Sequence, residues 1–588
     1  MTDQRALVVS PLDLYPANAP QTDGRPAAGV ETEQTSESEV GSVVVLTGHT
    51  LTAEQLQRIA DRRAEVVLSE RAEVRAAVDR SVAWVVDATS RGETIYGVTT
   101  GFGGMSHRSV PVEDAALLQR SLLAFMHAGS GGELPEREVR AAMAIRANSL
   151  LHGVSGARWE LIERFAIFLN AGVTPVVRAL GSIGASGDLA PLASIASAVT
   201  GCQADGQHVT WRGSRVLATD AQQAMALEPI DLGPKEGLAL INGTSVSTAS
   251  AALLVREAEA YLEAALAFHA LAIQALGAAV EPFDKFVHRH KPHPGQLAVA
   301  ATLRRLLAGS QLIGVPHRER AGTEGTLVQD RYAVRCMPQF LGPACEALTF
   351  VRRQLECEMN AATDNPLIDC AAGIALNAGN FLAEHVATGL DCIRAHVALI
   401  AKHVDVQVAQ MMAPEFSGGL PPCLVGNVAR HTNSGLKGLQ ICGNSIMPLV
   451  TYYSAPIADR FPTHAEQYNQ NVNAQSMGAV ALTRDQLRLA HNHLAVALLA
   501  AVQAVDLRSR LAHGSCDPRT ALSPCTLTIY EAIRETLGRP CHTDRPLFFD
   551  DIDQHLETFV DLVGTGLRGS GRISRAVREA AWLEPQIA

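Results

Sequence analysis

The sequence is poor in aromatic residues, in clustered positive charge and in long apolar runs, and each shortage excludes a class of protein. Aromatic residues make up only 5% of the 588 residues, whereas Ala and Leu are abundant, so the composition favours helix over strand. The net charge of -11 offers no basic stripe that could neutralise phosphates, which argues against a general nucleic-acid binder. The longest apolar stretch, residues 494–507, is too short to span a bilayer and predicts a buried helix. A small-molecule partner fits this composition best.

Paired cysteines and a secretory leader are lacking as well. The eleven cysteines contain no C-x-x-C pair, so neither a zinc site nor a disulfide framework is indicated, and reduced thiols are expected. Residues 1–20 carry Asp, Arg and three prolines where a secretory signal needs an uninterrupted apolar core, so we expect a cytoplasmic protein. His288, His290 and His293 lie close together in the sequence, but no carboxylate completes a ligand set, so we assign no metal.

The composition along the chain predicts a helical protein that follows an N-terminal tail. Residues 1–44 are rich in Pro, Ser, Thr, Glu, Gln and Gly and lack periodic apolar residues, so we expect a mobile tail. Helix signals dominate from Val45 onward, with Thr52 as a predicted N-cap. Three long, Ala- and Leu-rich segments predict the helices of a bundle, namely residues 246–276, 346–364 and about 479–510.

Ala185-Ser186-Gly187 is the most informative short motif. If the amide nitrogen of Gly187 attacks the carbonyl carbon of Ala185, a five-membered ring forms, and only small residues let the backbone fold so tightly. Loss of water from Cα and Cβ of Ser186 then leaves an exocyclic methylene, an electron sink that no ordinary side chain provides. A turn or a close helix contact is the simpler interpretation of such a small-residue string. A phosphate loop needs a following Lys-Ser/Thr and a nucleophile elbow needs Gly-x-Ser-x-Gly, and both patterns are incomplete here.

Five polar clusters in apolar surroundings accompany the tripeptide. They are residues 95–103 (IYGVTTGFG), 235–244 (KEGLALINGT), 329–339 (QDRYAVRCMPQ), 362–368 (ATDNPLI) and 465–473 (AEQYNQNVN). With the tripeptide in its place among them, they resemble the aromatic amino acid ammonia-lyase family, which comprises histidine, phenylalanine and tyrosine ammonia-lyases and related aminomutases. The resemblance covers about residues 47–510.

The resemblance implies a fold and a prosthetic group. The fold is mainly α and ammonia-lyase/fumarase-like, with a long central helical bundle and an N-terminal domain that bears the electrophile. The implied division is a tail at 1–44, an N-terminal domain at 45–230, a central bundle at 231–510 and a C-terminal helical part at 511–588. A 4-methylideneimidazole-5-one group would form autocatalytically, without an external cofactor, from Ala185, Ser186 and Gly187.

Two tyrosines match catalytic residues of the family. Tyr96, in a Gly-rich loop at 94–104, matches the base that removes the β-proton of the substrate. Since an ordinary phenol has a pKa of about 10, we expect nearby donors or charge to stabilise its phenolate. A turn aromatic packed on the core is the alternative for Tyr96. Tyr332 matches a second tyrosine near the electrophile, whose hydroxyl can hydrogen-bond or relay a proton.

The remaining polar matches concern substrate binding. Arg335 matches the residue that grips the substrate carboxylate, which suits a guanidinium fork because it pairs with two parallel hydrogen bonds. Three carboxamides match those that hold the ring oxygen and the carboxylate, namely Asn242, Gln329 and Asn365. Each of them could instead be a cap or turn residue. Phe381 matches a residue near the electrophile, with core packing as the alternative.

The positions that distinguish substrates within the family correspond to Phe125 and Met126. An apolar lining suits a phenyl ring, whereas burying a phenol hydroxyl or an imidazole without a partner costs on the order of 1 to 3 kcal/mol. His127 follows directly and could reach a para-hydroxyl, although a structural role is the simpler interpretation. Apolar residues expected to complete the wall, with plain core packing as the alternative, are Leu122, Leu189 and Leu238. Two residues that resemble the phenylalanine branch are Glu466 and Gln470.

The resemblance therefore implies non-oxidative deamination of L-phenylalanine to trans-cinnamate and ammonia. Tyrosine or histidine as substrate stays open as an alternative, because His127 follows the apolar specificity positions. A 2,3-aminomutase that forms a β-amino acid also stays open, because the sequence does not report the mobility of the Tyr96 loop. A binding-only protein of this fold would have lost the electrophile, the base or the carboxylate clamp, and all three are present. The family also implies a homotetramer with active sites drawn from three subunits, and no nucleic-acid or membrane partner.

Overall fold

Long helices dominate the architecture. The computed structural model describes residues 42–202, 204–314, 328–460 and 464–583. Helices α1 to α11 span, in order, Ala53–Ala60, Ala72–Ser90, Ala115–Phe125, Glu136–Leu150, Trp159–Asn170, Leu189–Thr200, Ala218–Ala224, Glu236–Ile241, Ser245–Leu276, Lys285–Arg289 and Pro294–Leu307. Helices α12 to α19 span Tyr332–Arg335, Met337–Met359, Glu384–Met412, Lys437–Tyr452, Ser476–His513, Pro524–Thr536, Leu556–Leu567 and Arg572–Ala581. The prediction of a mainly α fold is confirmed.

Short strands accompany the helices. Strands β1 to β9 span, in order, Ser42–Leu46, Ala64–Leu68, Ser130–Glu133, Thr174–Pro175, Arg178–Leu180, His208–Trp211, Ser214–Leu217, Leu367–Asp369 and Ile374–Leu376. β1 and β2 pair in parallel, with Ser42 opposite Ala64, and the other pairs, β3–β5, β4–β6–β7 and β8–β9, are antiparallel. Residues 42–44 belong to β1, so the tail predicted to end at residue 44 gives way to regular structure three residues earlier, because Val44 packs into the core. The rest of that predicted tail lies outside the described residues.

The core is a bundle built around α9, α14 and α16, with α13 and α4 packed on it. Every residue from Leu494 to Leu507 is buried, so the longest apolar stretch of the sequence is an interior segment of α16, as predicted. α9 buries residues on all of its faces, since Ala and Leu occupy most positions around it. Helices that are apolar all round are stable only when neighbours surround them. Helices α4, α13, α14 and α16 therefore surround α9.

Element boundaries follow local signals where those signals are strong. Thr52 caps α1 through a capping box with Gln55, as its sequence predicts. The helix predicted at 346–364 is instead α13, which begins at Met337, continues through Pro343 and ends at Met359. A proline usually ends a helix because it removes one backbone hydrogen bond. Here packing against α11 and α14 compensates for that loss, and the helix continues through Pro343. Residues 361–364 therefore lie in the loop that follows α13.

The described residues contain neither a candidate membrane span nor a candidate metal cluster. Within the described ranges, none of the helices combines the length and the apolar character that a membrane span requires. The same ranges bring together no trio of His, Cys, Asp or Glu side chains that could hold a metal ion. Nε2 of His288 donates to the carbonyl of Pro282, and its Nδ1 accepts from the side-chain amide of Gln296. Nδ1 of His290 donates to the carbonyl of Phe286, so both histidines form hydrogen bonds within residues 282–296.

Candidate active site

The tripeptide lies in the connection between β5 and α6. Ala185 and Gly187 are buried and Ser186 is half-buried. Gly187 has a φ of +70°, in the left-handed region that favours glycine. A Cβ at this position would overlap the backbone of Gly243, with which Gly187 forms a parallel bridge. The close approach of the two chain segments therefore requires glycine at position 187.

Asp188 anchors the segment from the following position, which sequence reasoning did not single out. Its backbone N–H donates to the carbonyl of Gly243 at 2.7 Å. Its carboxylate accepts from the amide and the hydroxyl of Ser247 at 2.7 and 2.9 Å and from the hydroxyl of Ser182 at 3.0 Å. Burial raises the pKa of Asp188 to about 6, and the hydrogen bonds from Ser247 and Ser182 act against that rise. The tripeptide is thus tied to the N-terminus of α9.

Ser186 is held by the side-chain amides of two predicted site residues, one of the three carboxamides and Gln470. The side-chain amide of Asn242 donates to the carbonyl oxygen of Ser186 at 3.0 Å. The amide of Gln470 donates to its hydroxyl at 2.9 Å. The Oδ1 atom of Asn242 is buried and has no hydrogen-bond partner among the described residues. The structure therefore brings residues 235–244 and 465–473 to the tripeptide, as expected of a shared site.

Three buried charged residues lie behind the Asn242–Gly243 segment. Nη1 of Arg146 donates to the carbonyl of Thr363 at 3.0 Å and to that of Asn242 at 3.3 Å. The ammonium group of Lys235 lies 2.8 Å from the carboxylate of Asp364, and both side chains are fully buried. Burial lowers the pKa of Arg146 to about 10, with the Asp364 carboxylate acting against that fall, so the guanidinium stays protonated near neutral pH.

Tyr96 lies in the Gly-rich loop, where its hydroxyl oxygen accepts a hydrogen bond from the N–H of Gly103 at 2.9 Å. Its ring meets that of Phe102 edge to face, with 6.5 Å between the centroids. Burial raises the pKa of Tyr96, the Gly103 N–H acts against that rise, and the charge of Glu466 adds to it. Within one chain the Gly103 N–H stabilises the phenolate while burial and Glu466 outweigh it, and the expected stabilisation of the phenolate stays a prediction.

Glu466 belongs to a strained turn that closes over the Gly-rich loop. Glu466, Gln467 and Tyr468 have φ of +55°, +53° and +67°, a run that costs L-residues roughly 1 kcal/mol or more at each position. Side chains at Gly103 and Gly104 would overlap Glu466 and Gln467 respectively. The two glycines thus allow a carboxylate to approach the loop that carries the tyrosine.

The predicted specificity residues lie at the end of α3. The ring of Phe125 is 53% exposed and lies 6.4 Å from that of Phe102, centroid to centroid, which connects it to the Tyr96 loop. Met126 is half-buried against the core, whereas His127 is exposed. Of the three leucines expected in the wall, Leu122 and Leu238 are buried and Leu189 is half-buried. The lining near Phe102 is therefore apolar and aromatic.

Asn365 and Phe381 lie in neighbouring loops beside the Thr363–Asp364 segment. The Oδ1 atom of Asn365 accepts from the N–H of Ala378 at 2.7 Å, so this carboxamide holds its own loop in this chain. Phe381 is half-buried, one residue after Asn380, whose amide contacts the carbonyl of Ala362 at 3.5 Å. Among the described residues of one chain, the side chains that hydrogen-bond to Ser186 are those of Asn242 and Gln470, and neither Asn365 nor Phe381 is among them.

The predicted carboxylate clamp lies far from the tripeptide of its own chain. Arg335 lies over the ring of Tyr332, 4.5 Å from its centroid, and Tyr332 is 71% exposed. Gln329 is exposed as well. The preceding Asp330 accepts a hydrogen bond from the N–H of Ala279, just beyond the C-terminus of α9. Since α9 has 32 residues, it separates this element from the tripeptide by about 48 Å.

A buried chain of three side chains supports α12. Gln407 donates from Nε2 to the carbonyl of Ala333 at 2.7 Å, so its Oε1 must accept the hydrogen bond of 2.8 Å from Nδ1 of His269. Nε2 of His269 is then an acceptor, and Nδ1 of His403 donates to it at 3.1 Å. Burial lowers the pKa of His403 to about 4, against the effect of the Ala333 carbonyl, so both rings are neutral at neutral pH.

Sequence reasoning missed the buried charges of this site. Lys235 and Asp364 lie inside two of the polar clusters that carried the resemblance, and Asp188 directly follows the tripeptide, so their positions were visible but their pairing was not. Arg146 lies in α4 together with Glu136, Arg137, Glu138 and Arg140, so nothing in the sequence sets its charge apart from theirs. The missed charges come from distant parts of the chain, and the fold alone brings them together.

The sequence profile of the aromatic amino acid lyases matches residues 51–535. The chain belongs to this family. It is 44% identical over 537 residues to a phenylalanine ammonia-lyase of Nostoc punctiforme, with 91% of this chain and 94% of that protein covered. It is 44% identical over 531 residues to an aromatic ammonia-lyase of Loktanella atrilutea, covering 90% and 96%.

The lyase fold is shared with solved structures of the family. The tyrosine aminomutase of Streptomyces globisporus superposes with a TM-score of 0.81 at 30% identity, covering 92% of this chain and 99% of that one. The chain is a carbon–nitrogen lyase of the aromatic amino acid ammonia-lyase type, as the sequence resemblance implied. The division into four parts predicted from the sequence stays a prediction.

Proposed function

We propose that this lyase converts L-phenylalanine to trans-cinnamate and ammonia. The observation that carries the proposal is the arrangement at Ser186, whose carbonyl and hydroxyl oxygens accept hydrogen bonds from Asn242 and Gln470 while Gly187 adopts a left-handed conformation. An ordinary turn needs neither two carboxamide donors on one serine nor a backbone as close as that of Gly243.

The residues present fit a 4-methylideneimidazole-5-one group. In the proposed maturation, the nitrogen of Gly187 bonds to the carbonyl carbon of Ala185. That carbonyl oxygen leaves as water with the hydrogens of the Gly187 and Ser186 nitrogens. A second water takes the hydroxyl and the Cα hydrogen of Ser186. Asn242 would hold the ring oxygen, which is the present carbonyl oxygen of Ser186. When formed, the group supplies an electrophilic methylene that accepts the electrons of the substrate amine.

Tyr96 is the proposed base for the β-proton of the substrate. A neutral phenol is a poor base, and burial makes this one harder to ionise within one chain. A guanidinium near the phenol oxygen would act in the opposite direction. Arg335 is the proposed source of that charge, in addition to its binding of the substrate carboxylate through a two-pronged fork.

Arg335 can serve this site only if it comes from a second copy of the chain. Arg335 lies with Tyr332 and Gln329 near the C-terminal end of α9, whereas Ser186 lies near its N-terminal end. At the usual rise per residue, the 32 residues of α9 separate the two by about 48 Å. We therefore propose a homo-oligomer, with the tetramer of the family as its form, in which Asn365 and Phe381 also act across subunits. The exposure of Tyr332 in a single chain supports this arrangement.

Phenylalanine is the proposed substrate because Phe102 and Phe125 form an aromatic, apolar surface next to Tyr96. A phenol hydroxyl or an imidazole buried there without a partner would cost about 1 to 3 kcal/mol. Tyrosine is the second candidate, since His127 lies exposed two positions after Phe125 and is the nearest group in sequence that could bond a para-hydroxyl. A cytoplasmic location goes with this proposal.

The test is to incubate the purified enzyme separately with L-phenylalanine, L-tyrosine and L-histidine. Absorbance of the conjugated product measures deamination, and chromatography detects any β-amino acid. We expect cinnamate from phenylalanine as the fastest reaction, and no activity from Ser186→Ala. Faster turnover of tyrosine, or an accumulating β-amino acid, would replace the phenylalanine lyase assignment. Activity that is unchanged in Ser186→Ala would overturn the role of the tripeptide.

A further inference from the structure

Arg146 is a fully buried cation without a carboxylate of its own. Its Nη1 bonds to two carbonyls, whereas Nε and Nη2 have no hydrogen-bond partner among the residues that the structure describes. The nearby carboxylate of Asp364 is engaged by Lys235, so that pair is neutral and the charge of Arg146 is left over. An unpaired charge in a protein interior is strongly unfavourable, so its retention calls for a function.

A second arginine on the same helix shows that burial alone does not produce this arrangement. Arg140 is also buried on α4, and its guanidinium bonds to the carbonyls of Ile59 and Leu169 through three of its nitrogens. Burial lowers the pKa of Arg140 to about 10, as it does for Arg146. Arg140 therefore controls for the burial of an arginine on α4, and it differs from Arg146 in that all three of these nitrogens have partners and its contacts do not lead to the tripeptide.

A single residue, Asn242, connects Arg146 to the tripeptide. The carbonyl that Arg146 binds belongs to Asn242, whose side chain donates to the carbonyl oxygen of Ser186. A Cβ on Gly243 would overlap Nη1 of Arg146, so the guanidinium lies directly against that glycine. Gly243 in turn pairs with Gly187 and accepts the N–H of Asp188 at 2.7 Å. Arg146 thus contacts the segment that holds Ser186 and Gly187 of the tripeptide.

We propose that Arg146 is a positioning residue for the maturation of Ala185-Ser186-Gly187, an inference that rests on the proposed function. Its Nη1 holds the Asn242–Gly243 segment through the Asn242 carbonyl, and in this proposal the segment keeps Gly187 in its left-handed conformation during ring closure. Its charge also favours the dehydration of Ser186. Loss of the Cα proton puts negative charge on the Ser186 carbonyl oxygen, and the electron pair then forms the Cα–Cβ double bond as the hydroxyl leaves with a proton as water. A fixed positive charge in a dry interior stabilises that oxygen.

The experiment measures the mass of the full-length protein, and of the proteolytic peptide that contains residues 181–201, for the loss of two water molecules. The variants are Arg146→Gln and Arg146→Lys, with Arg140→Gln and Arg140→Lys as matched controls. Circular dichroism and thermal melting establish that each protein is folded. We expect complete dehydration in the wild type and in both Arg140 variants. Arg146→Gln should be dehydrated roughly tenfold more slowly than the wild type. Arg146→Lys should lie between the two, because it keeps the positive charge but loses the guanidinium group.

The outcomes separate this inference from the proposed function. A wild-type protein that retains both waters overturns the proposed function itself. A folded Arg146→Gln that is dehydrated as fast as Arg140→Gln overturns the role of Arg146 and leaves the proposed function standing. If Arg146→Gln does not fold, the comparison of Arg146→Lys with Arg140→Lys decides, and equal rates of dehydration overturn the inference.

Discussion

The side-chain amide of Gln470 lies 2.9 Å from the hydroxyl oxygen of Ser186, although 284 positions separate the two residues. The hydrogen bond fixes a loop that also contains Glu466, whose carboxylate contributes to the electrostatics of Tyr96. One serine therefore lies between the Asn242 segment and the loop that closes over the proposed base. The following predictions test what this arrangement does.

Asn242→Ala should lower kcat by about 100-fold while leaving the fold intact, because it removes the donor to the oxygen on which negative charge develops. Steady-state kinetics with L-phenylalanine would show the effect, and the mass of the peptide with residues 181–201 would show whether maturation also slows. Thr528→Ala, at an exposed hydroxyl on α17, is a suitable control. A kcat within twofold of the wild type would contradict the assignment.

Gly187→Ala should block maturation and destabilise the protein, because its Cβ would overlap the Gly243 backbone at a positive φ. Gly206→Ala is the matched control, since Gly206 has a φ of +76° with nothing within 4 Å of an added Cβ. The control should cost only about 1 kcal/mol, from the strained φ alone, and should mature normally. Thermal melting and mass spectrometry distinguish the two. Normal dehydration in Gly187→Ala would show that the close approach is unnecessary.

Asp188→Asn should change the pH dependence of stability in a defined direction. Because burial raises the folded pKa of Asp188 to about 6 from 3.8, its stabilising contribution is complete at low pH and is lost as pH rises through about 6. The asparagine variant should therefore gain up to about 3 kcal/mol relative to the wild type between pH 4 and pH 8.

Urea unfolding at several pH values measures the Asp188 effect. Asp506, whose pKa burial likewise raises to about 6, titrates in both proteins and cancels in the difference. A stability difference that stays constant with pH would mean that Asp188 is ionised in the folded protein throughout this range.

Gln407→Leu should raise KM for L-phenylalanine roughly tenfold with a smaller change in kcat, because it removes the support for the carbonyl of Ala333 beside Arg335. Inhibition by cinnamate should weaken in parallel, whereas binding of cinnamyl alcohol, which has no carboxylate, should not. Gln503→Leu is the control, as this equally buried side chain bonds to Leu424 and Phe548. Equal effects of the two variants on KM would argue for general destabilisation.

Mixing two inactive variants tests whether sites are shared between subunits. Ser186→Ala and Arg335→Met should each be inactive alone, yet co-expressed chains should recover roughly one quarter of the wild-type activity, because random assembly joins an intact tripeptide with an intact arginine at that frequency. Specific activity of doubly tagged, co-purified protein is the measurement. No recovery in verified mixed oligomers would indicate that each chain completes its own site.

The sequence was informative where chemistry is local. The capping box at Thr52, the apolar helix at 494–507 and the carboxamides Asn242 and Gln470 all lie where local patterns or family motifs indicate. The helix predicted at 346–364 was misjudged at both ends. It begins at Met337 because packing carries it past Pro343, and it ends at Met359.

What the sequence could not supply is the pairing of distant charges. The ion pair of Lys235 with Asp364 joins positions 129 residues apart, and nothing in either segment identifies its partner. The same holds for the direction of the pKa shift at Tyr96, which depends on how deeply the fold buries the ring and on a carboxylate from a remote loop. Burial and long-range proximity are properties of the packed chain, so they become readable only once the helices are in place.

The length of α9 has a consequence for how such an enzyme can evolve. One end of this helix meets the tripeptide and the other meets the element with Arg335, so in the proposed oligomer its length would set the spacing between neighbouring reaction centres. A single inserted residue would turn one end by about 100° relative to the other. The number of residues in α9 therefore sets both the distance and the relative orientation of its two ends. We expect insertions and deletions to accumulate in the loops of relatives while the number of residues in this helix stays constant.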